Sequence, residues 1–96
     1  MSAENRIALV TGGSRGIGRA VALALATLGV NVIICGRTQP SLDETVADIR
    51  SLGVEAHGIQ ADVSRLQDIN NVVDAIKNQS RRLDILVNNA VRLDAE

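Results

Sequence analysis

Two hydrophobic periods alternate along the chain. Short segments rich in Val, Ile and Leu occur at 7–10, 31–35 and 83–87, and a fourth, more polar segment lies at 55–61. The first is a continuous apolar run that stops at a glycine cluster, which is typical of a strand buried on both faces of a parallel sheet. The longer segments between the four carry apolar residues at helical spacing. The pattern therefore predicts strand and helix in alternation, from a first strand to a fourth.

Three amphipathic helices are predicted between these strands. The first starts near Ile17 and stops at Gly29, with Ala20 and Ala24 allowing close packing. The second covers 41–52 and stops at Gly53, and the third follows the segment DVS at 62–64. The residues predicted to face the sheet are Ile17, Val21, Leu25 and Leu28 in the first helix, Leu42, Val46 and Ile49 in the second, and Leu66, Ile69, Val73 and Ile76 in the third.

The starts of the second and third helices carry capping signals. Ser41 and Glu44 have the spacing of a capping box, although Pro40 suits a first helical turn and leaves Thr38 as an earlier cap. At the third helix, Ser64 and Gln67 have the same spacing.

The alternation predicts an α/β fold with a parallel sheet, right-handed crossovers and helices on both faces. About four strands and three helices correspond to the N-terminal half of a Rossmann-type doubly wound sheet. With 96 residues and no linker or low-complexity tract, we expect residues 1–96 to form a single partial domain.

The glycine loop between the first strand and the first helix is the strongest candidate for chemistry. A helix N-terminus carries a partial positive charge and free N–H groups, which suit a pyrophosphate. A side chain at Gly12, Gly16 or Gly18 would hold a phosphate away or push the helix off the strand. Tight turns also need glycine, but the strand before this loop and the helix after it favour a dinucleotide site.

The end of the second strand predicts which dinucleotide would bind. In a site of this kind, an acidic residue about 20 positions after the loop accepts hydrogen bonds from the NAD ribose. The segment CGRT at 35–38 has no acidic residue, and Arg37 and Arg15 could instead bind a 2′-phosphate. We therefore expect NADP rather than NAD; the alternative is that both arginines are ordinary surface residues.

Composition and charge exclude several classes of protein. A formal net charge of −1 gives no electrostatic signature for nucleic acid or an anionic membrane. The longest apolar run is too short to cross a bilayer, no long signal-peptide core follows the N-terminus, and Cys35 has no disulfide partner. We expect a cytoplasmic protein without a metal site, in which Cys35 and His57 have structural roles.

Three motifs in order resemble the short-chain dehydrogenase/reductase family. The run TGGSRGIG at 11–18 fits the family's Thr-Gly-x-x-x-Gly-x-Gly loop, DV at 62–63 resembles its adenine-contacting pair, and NNA at 88–90 resembles its Asn-Asn-Ala-Gly motif. Val91 stands where the family has glycine, and its side chain is expected either to crowd the nicotinamide end or to alter the turn. The resemblance implies cofactor-binding roles for Gly12, Ser14, Arg15, Gly16, Ile17, Gly18, Arg37, Asp62, Val63, Asn89 and Ala90.

The resemblance also implies chemistry that these residues do not supply. The family uses a Tyr-x-x-x-Lys pair, yet the chain has no tyrosine and its one lysine, Lys77, falls in the third predicted helix. One interpretation is the NADP(H)-binding portion of a reductase that acts on a small carbonyl or alcohol, with catalysis in residues beyond 96. The other is a non-catalytic module that binds nucleotide or self-associates into a homo-oligomer, through the edge of the apolar fourth strand or through its uncovered helices. A methyltransferase-like site is disfavoured because the second strand lacks an acidic ribose ligand.

Overall fold

The computed structural model describes residues 6–13, 16–62, 65–79 and 83–88. Strands and helices alternate as the hydrophobic pattern predicts, and the predicted fold class is confirmed. The elements are β1 Ile7–Thr11, α1 Gly16–Thr27, β2 Asn31–Gly36, α2 Gln39–Arg50, β3 Ala56–Gln60, α3 Leu66–Gln79 and β4 Ile85–Asn88.

All strand pairs in the sheet are parallel, and the strand order is β3-β2-β1-β4. The change of direction occurs at β1, because β2 and β3 lie on one side of it and β4 on the other. In such sheets a crevice opens beyond the carboxyl ends of the strands at this switch point. The glycine loop follows β1 and therefore lies at the crevice.

Two apolar clusters hold the sheet between its helices. On one face, alternate sheet residues such as Val10, Val32 and Ile34 pack against α1 and α2. On the other face, Leu9, Ile33 and Cys35 pack with residues of α3. With no aromatic side chain in the chain, both clusters consist of aliphatic residues and one cysteine. Branched side chains fill the sheet, and small residues on α1 let that helix approach closely.

The face that α1 turns to the sheet agrees only in part with the prediction. Gly18, Ala22 and Ala26 are its buried residues and the predicted Leu25 packs partly buried beside them, whereas Ile17 and Leu28 are 74% and 69% exposed. This helix is apolar around most of its circumference, so spacing alone does not select a face. The bulky sheet residues leave room for alanine and glycine at the closest approach, which is why the small face packs inward.

In α2 the predicted stripe is confirmed, and Thr45 is buried beside it. The helix starts at the earlier of the two predicted positions, with Thr38 as N-cap and Pro40 in the first turn. In α3 Val72 is buried and the predicted Ile76 packs partly buried against the same cluster, whereas Leu66 and Val73 are 74% and 43% exposed, so the predicted stripe is confirmed only in part.

The second predicted capping box stays a prediction, because Ser64 lies outside the described residues. The amide of Gln67 donates to Asn71 on the next turn of α3. None of the helices in the described part of the chain has the length and apolar character needed to cross a membrane.

Candidate functional site

The glycine loop is fixed to the end of the neighbouring strand. The backbone N–H groups of Gly12 and Gly13 both donate to the carbonyl oxygen of Cys35, at 2.9 and 3.3 Å. Gly12 has φ of 68°, a left-handed conformation that glycine adopts without strain. The chain therefore turns sharply where β1 ends and leads into α1.

Gly13 is required for a reason that the sequence did not indicate. A Cβ atom at this position would lie 2.6 Å from Cγ2 and 2.9 Å from Cβ of Ile34. Both distances are well inside van der Waals contact, and Ile34 is fully buried in the sheet. The backbone at Gly13 therefore lies directly against β2, and Gly18, in the first turn of α1, is buried as well.

The N-terminus of α1 faces open space. Gly16 has φ of 62°, and a Cβ atom there would meet no described atom within 4 Å. In the helix as described, the first turn carries no acidic side chain. The N–H groups of a helix N-terminus, the positive end of the helix dipole and this open space together suit the pyrophosphate of a dinucleotide. A side chain at Gly16 would enter that space.

The carboxyl end of β2 presents Arg37 to solvent. Its side chain is exposed, and its backbone carbonyl accepts a hydrogen bond of 3.0 Å from Nε2 of Gln60. Next to it, the N–H of Ala61 donates to the carbonyl of Gly36 at 2.8 Å. Thr38, the N-cap of α2, makes no capping bond with its side chain. An exposed guanidinium and hydroxyl therefore lie beside the N-terminus of α2.

Asp62 lies just past the end of β3 and is held by its backbone. Its N–H donates to Oδ2 of Asp68 at 2.6 Å, and its carbonyl accepts from the N–H of Arg65 at 2.9 Å. Asp68 belongs to the first turn of α3, where a carboxylate also interacts favourably with the helix dipole. The loop that would contact an adenine is thus attached to the helix that follows it.

A side-chain hydrogen bond joins the carboxyl ends of β1 and β4. The hydroxyl of Thr11 donates to the carbonyl of Val87 at 3.4 Å, and Thr11 is almost fully buried. At the opposite end of the strands, the N–H of Ile7 donates to Oδ2 of Asp84 at 2.9 Å, while the N–H of Asp84 donates to the carbonyl of Ile7. These bonds fix β4 beside β1 at both ends.

Several predicted site residues lie outside the described part of the chain. Those described, Gly12, Gly16, Gly18, Arg37 and Asp62, all lie at the carboxyl end of the sheet, together with the exposed Ile17. Ser14, Arg15, Val63, Asn89 and Ala90, together with Val91, lie outside the described residues.

Cys35 belongs to the core below the glycine loop. Its side chain is fully buried, and burial raises the pKa of the thiol, partly opposed by a backbone hydrogen bond from Gly12. A buried, protonated thiol is a poor nucleophile. Cys35 therefore acts as a small apolar residue, as predicted.

Two residues of this end of the sheet were missed by sequence reasoning. Gln60 and Asp68 make polar contacts to the backbone at Arg37 and Asp62, the two positions predicted to read the adenosine half of a dinucleotide. The only sequence signal for Asp68 is an acidic residue in the first turn of a predicted helix. Gln60 carries no such signal.

A family model described as short chain dehydrogenase matches residues 6–95. A "Short-chain dehydrogenase/reductase homolog YusS" of Bacillus subtilis is 46% identical over 91 residues, which cover 94% of this chain and 84% of that protein. The chain spans only 29 to 36% of the length of three other curated relatives.

Solved structures share the fold at high similarity. The Pseudomonas aeruginosa RhlG/NADP active-site complex has a TM-score of 0.87 and 41% identity over 95% of this chain and 36% of its own. An NAD+-bound xylitol dehydrogenase has a TM-score of 0.90 and 30% identity over 96% of this chain and 35% of its own. Proteins of this fold therefore include complexes with either nicotinamide dinucleotide.

Proposed function

Since the chain belongs to the short-chain dehydrogenase/reductase family, we propose that it is the NADP(H)-binding part of an oxidoreductase, with residues 1–96 forming one partial nucleotide-binding domain. The proposed reaction transfers hydride between the nicotinamide and a small carbonyl or alcohol. Catalysis belongs to a chain that also carries the family's catalytic pair.

Each part of the dinucleotide has a proposed place at the carboxyl end of the sheet. The pyrophosphate lies on the loop from Gly12 to Gly18, where Ser14 and Arg15 add polar groups to the N-terminus of α1. The adenine lies by Asp62 and Val63. The nicotinamide lies towards Asn89 and Ala90, beyond the end of β4.

The preference for NADP(H) rests on one observation. Where β2 ends, the chain has the exposed Arg37 and no carboxylate at 35–38. A guanidinium forms short, charge-assisted hydrogen bonds to a phosphate, whereas a carboxylate at this place would repel it. The exposed hydroxyl of Thr38 at the N-terminus of α2 adds a neutral donor for the same phosphate.

These residues bind and orient; they do not complete the chemistry. The nicotinamide, when bound, accepts or donates a hydride. Reduction of a carbonyl also needs a proton donor, and the family's tyrosine is not among these 96 residues. Lys77 lies in the last turn of α3, at the far end of the sheet from the glycine loop. The described residues therefore account for cofactor binding alone.

Calorimetric titration with NADPH and NADH tests the proposal. A guanidinium bond to the 2′-phosphate contributes about 1.5 to 3 kcal/mol, so NADPH should bind roughly 10- to 100-fold more tightly than NADH. Arg37→Asp should abolish that difference. Lys77→Asp makes the same change of charge at the other end of the sheet and should preserve it. Equal affinity of the unaltered protein for both cofactors would remove the specificity claim.

The second candidate is a non-catalytic module that binds nucleotide and self-associates. It is favoured by the exposed side chains of Leu86 on β4, at 61%, and of Leu66 on α3. Apolar groups at a sheet edge promote pairing between molecules. Sedimentation velocity should then give a defined oligomer, with no turnover on carbonyl or alcohol substrates. A monomer at tens of micromolar would argue against this candidate.

A further inference from the structure

Asp68 accepts a hydrogen bond from the backbone of Asp62, at the carboxyl end of the sheet. Its carboxylate is half-buried in the first turn of α3, and its Oδ2 accepts from the backbone N–H of Asp62 at 2.6 Å. Asp62 is the residue proposed to contact the adenine. The hydrogen bond therefore joins a helix to the recognition loop through the main chain.

The geometry of β3 explains why this bond matters. In a parallel pair, the backbone N–H and C=O groups of successive residues in an edge strand point alternately towards and away from the neighbouring strand. The N–H of Ala61 points to β2 and donates to Gly36, so the N–H of Asp62 faces away from the sheet. Asp68 supplies an acceptor at that point. The carbonyl of Asp62 is held as well, by the N–H of Arg65.

We propose that Asp68 is a positioning residue for the adenosine half of the cofactor, fixing the backbone of Asp62 so that its side chain is ready for the ligand. This inference rests on the proposed function. Pre-ordering of a contact residue raises affinity because less conformational freedom is lost on binding.

Simple electrostatics makes the opposite prediction. NADPH and 2′,5′-ADP are anions, so removal of a nearby negative charge should tighten their binding. A positioning role predicts weaker binding after the same change. The direction of the change in affinity therefore separates the two explanations, and Asp74 on the exposed side of α3 provides a matched control.

The test combines two measurements on the 96-residue chain. Amide exchange, followed by nuclear magnetic resonance without ligand, should be at least roughly tenfold faster at Asp62 in Asp68→Ala, with Ala61 unchanged. Titration should show roughly tenfold weaker binding of both NADPH and 2′,5′-ADP. Asp68→Asn keeps an acceptor oxygen and should lose only roughly threefold. Asp74→Ala should not weaken binding.

Each outcome has a distinct meaning. If the unaltered chain binds neither probe, the proposed function is wrong and the positioning role falls with it. If it binds both but Asp68→Ala binds them equally well or more tightly, the positioning role alone is wrong. Unchanged exchange at Asp62 in Asp68→Ala would also overturn it. Weaker binding with faster exchange in Asp68→Ala, and a smaller loss of affinity in Asp68→Asn, supports it.

Discussion

Arg50 offers a direct test of how hydrogen bonding supports the sheet. At the end of α2, its Nε and Nη2 atoms both donate to the carbonyl of Ala56, at 3.0 and 2.7 Å. Ala56 is 1% exposed. Substitution Arg50→Met keeps a long apolar stem with similar helix propensity and removes both donors.

The expected loss of stability follows from the burial of the Ala56 carbonyl, which accepts both hydrogen bonds. Hydrogen bonds to a charged partner contribute about 1.5 to 3 kcal/mol, and an unsatisfied buried group costs about 1 to 3 kcal/mol. We expect Arg50→Met to lower the free energy of unfolding by about 2 kcal/mol. The control is Arg19→Met, which breaks the ion pair with Asp48 between side chains that are 35% and 48% exposed. Such a pair contributes about 0.2 to 1 kcal/mol.

Urea unfolding followed by far-ultraviolet circular dichroism is the suitable assay, because the chain has no Trp, Tyr or Phe to report by fluorescence. With a slope of about 2 kcal/mol/M, Arg50→Met should lower the midpoint by about 1 M. Equal losses in the two variants, or an unchanged midpoint in Arg50→Met, would refute the reasoning.

Two further predictions follow from the contacts below and beside the glycine loop. Because burial raises the pKa of the Cys35 thiol above its ordinary 9.0, the unfolded chain releases this proton first, and stability should fall as pH rises past about 9. Urea midpoints at pH 7 and 10 should show this decline, with a smaller decline in Cys35→Ala; equal declines would contradict it. Gln60→Leu frees the carbonyl of Arg37 and should reduce the NADPH-to-NADH preference roughly threefold, measured by calorimetry. Gln67→Leu, which removes an exposed amide on α3, should leave that preference unchanged, and a loss in both variants would show a general effect.

The strands and α2 were predicted well because the positions of their apolar residues indicate which faces are buried. Continuous runs such as those of β1 and β2 are stable only when buried on both faces, and Leu42, Val46 and Ile49 alone make an apolar side on a polar helix. In α1, by contrast, nearly every face is apolar. Its orientation depends on the size of Val10 and Ile34 across the interface, which periodicity does not record.

The candidate site was likewise predicted only in part. The loop at Gly12 and Gly16 was predicted because its glycines stand between a strand and a helix, and the positive φ values agree with that position. The bonds made by Gln60 and Asp68 were not predicted. They join residues across turns whose geometry depends on where β3 ends, and many sequences place a glutamine or an aspartate at such points.

The two edge strands of the sheet, β3 and β4, differ in how readily a further strand can pair with them. At β3 the guanidinium of Arg50 donates to the carbonyl of Ala56, which faces away from β2. An added strand would have to compete with Arg50 for this acceptor. Among the described residues β4 pairs with β1 alone, and Leu86 stands exposed upon it. We therefore expect a further strand to add more readily beside β4 than beside β3. A later strand of a longer chain, a complementing fragment and a second molecule would all compete for the same row of hydrogen-bonding groups beside β4.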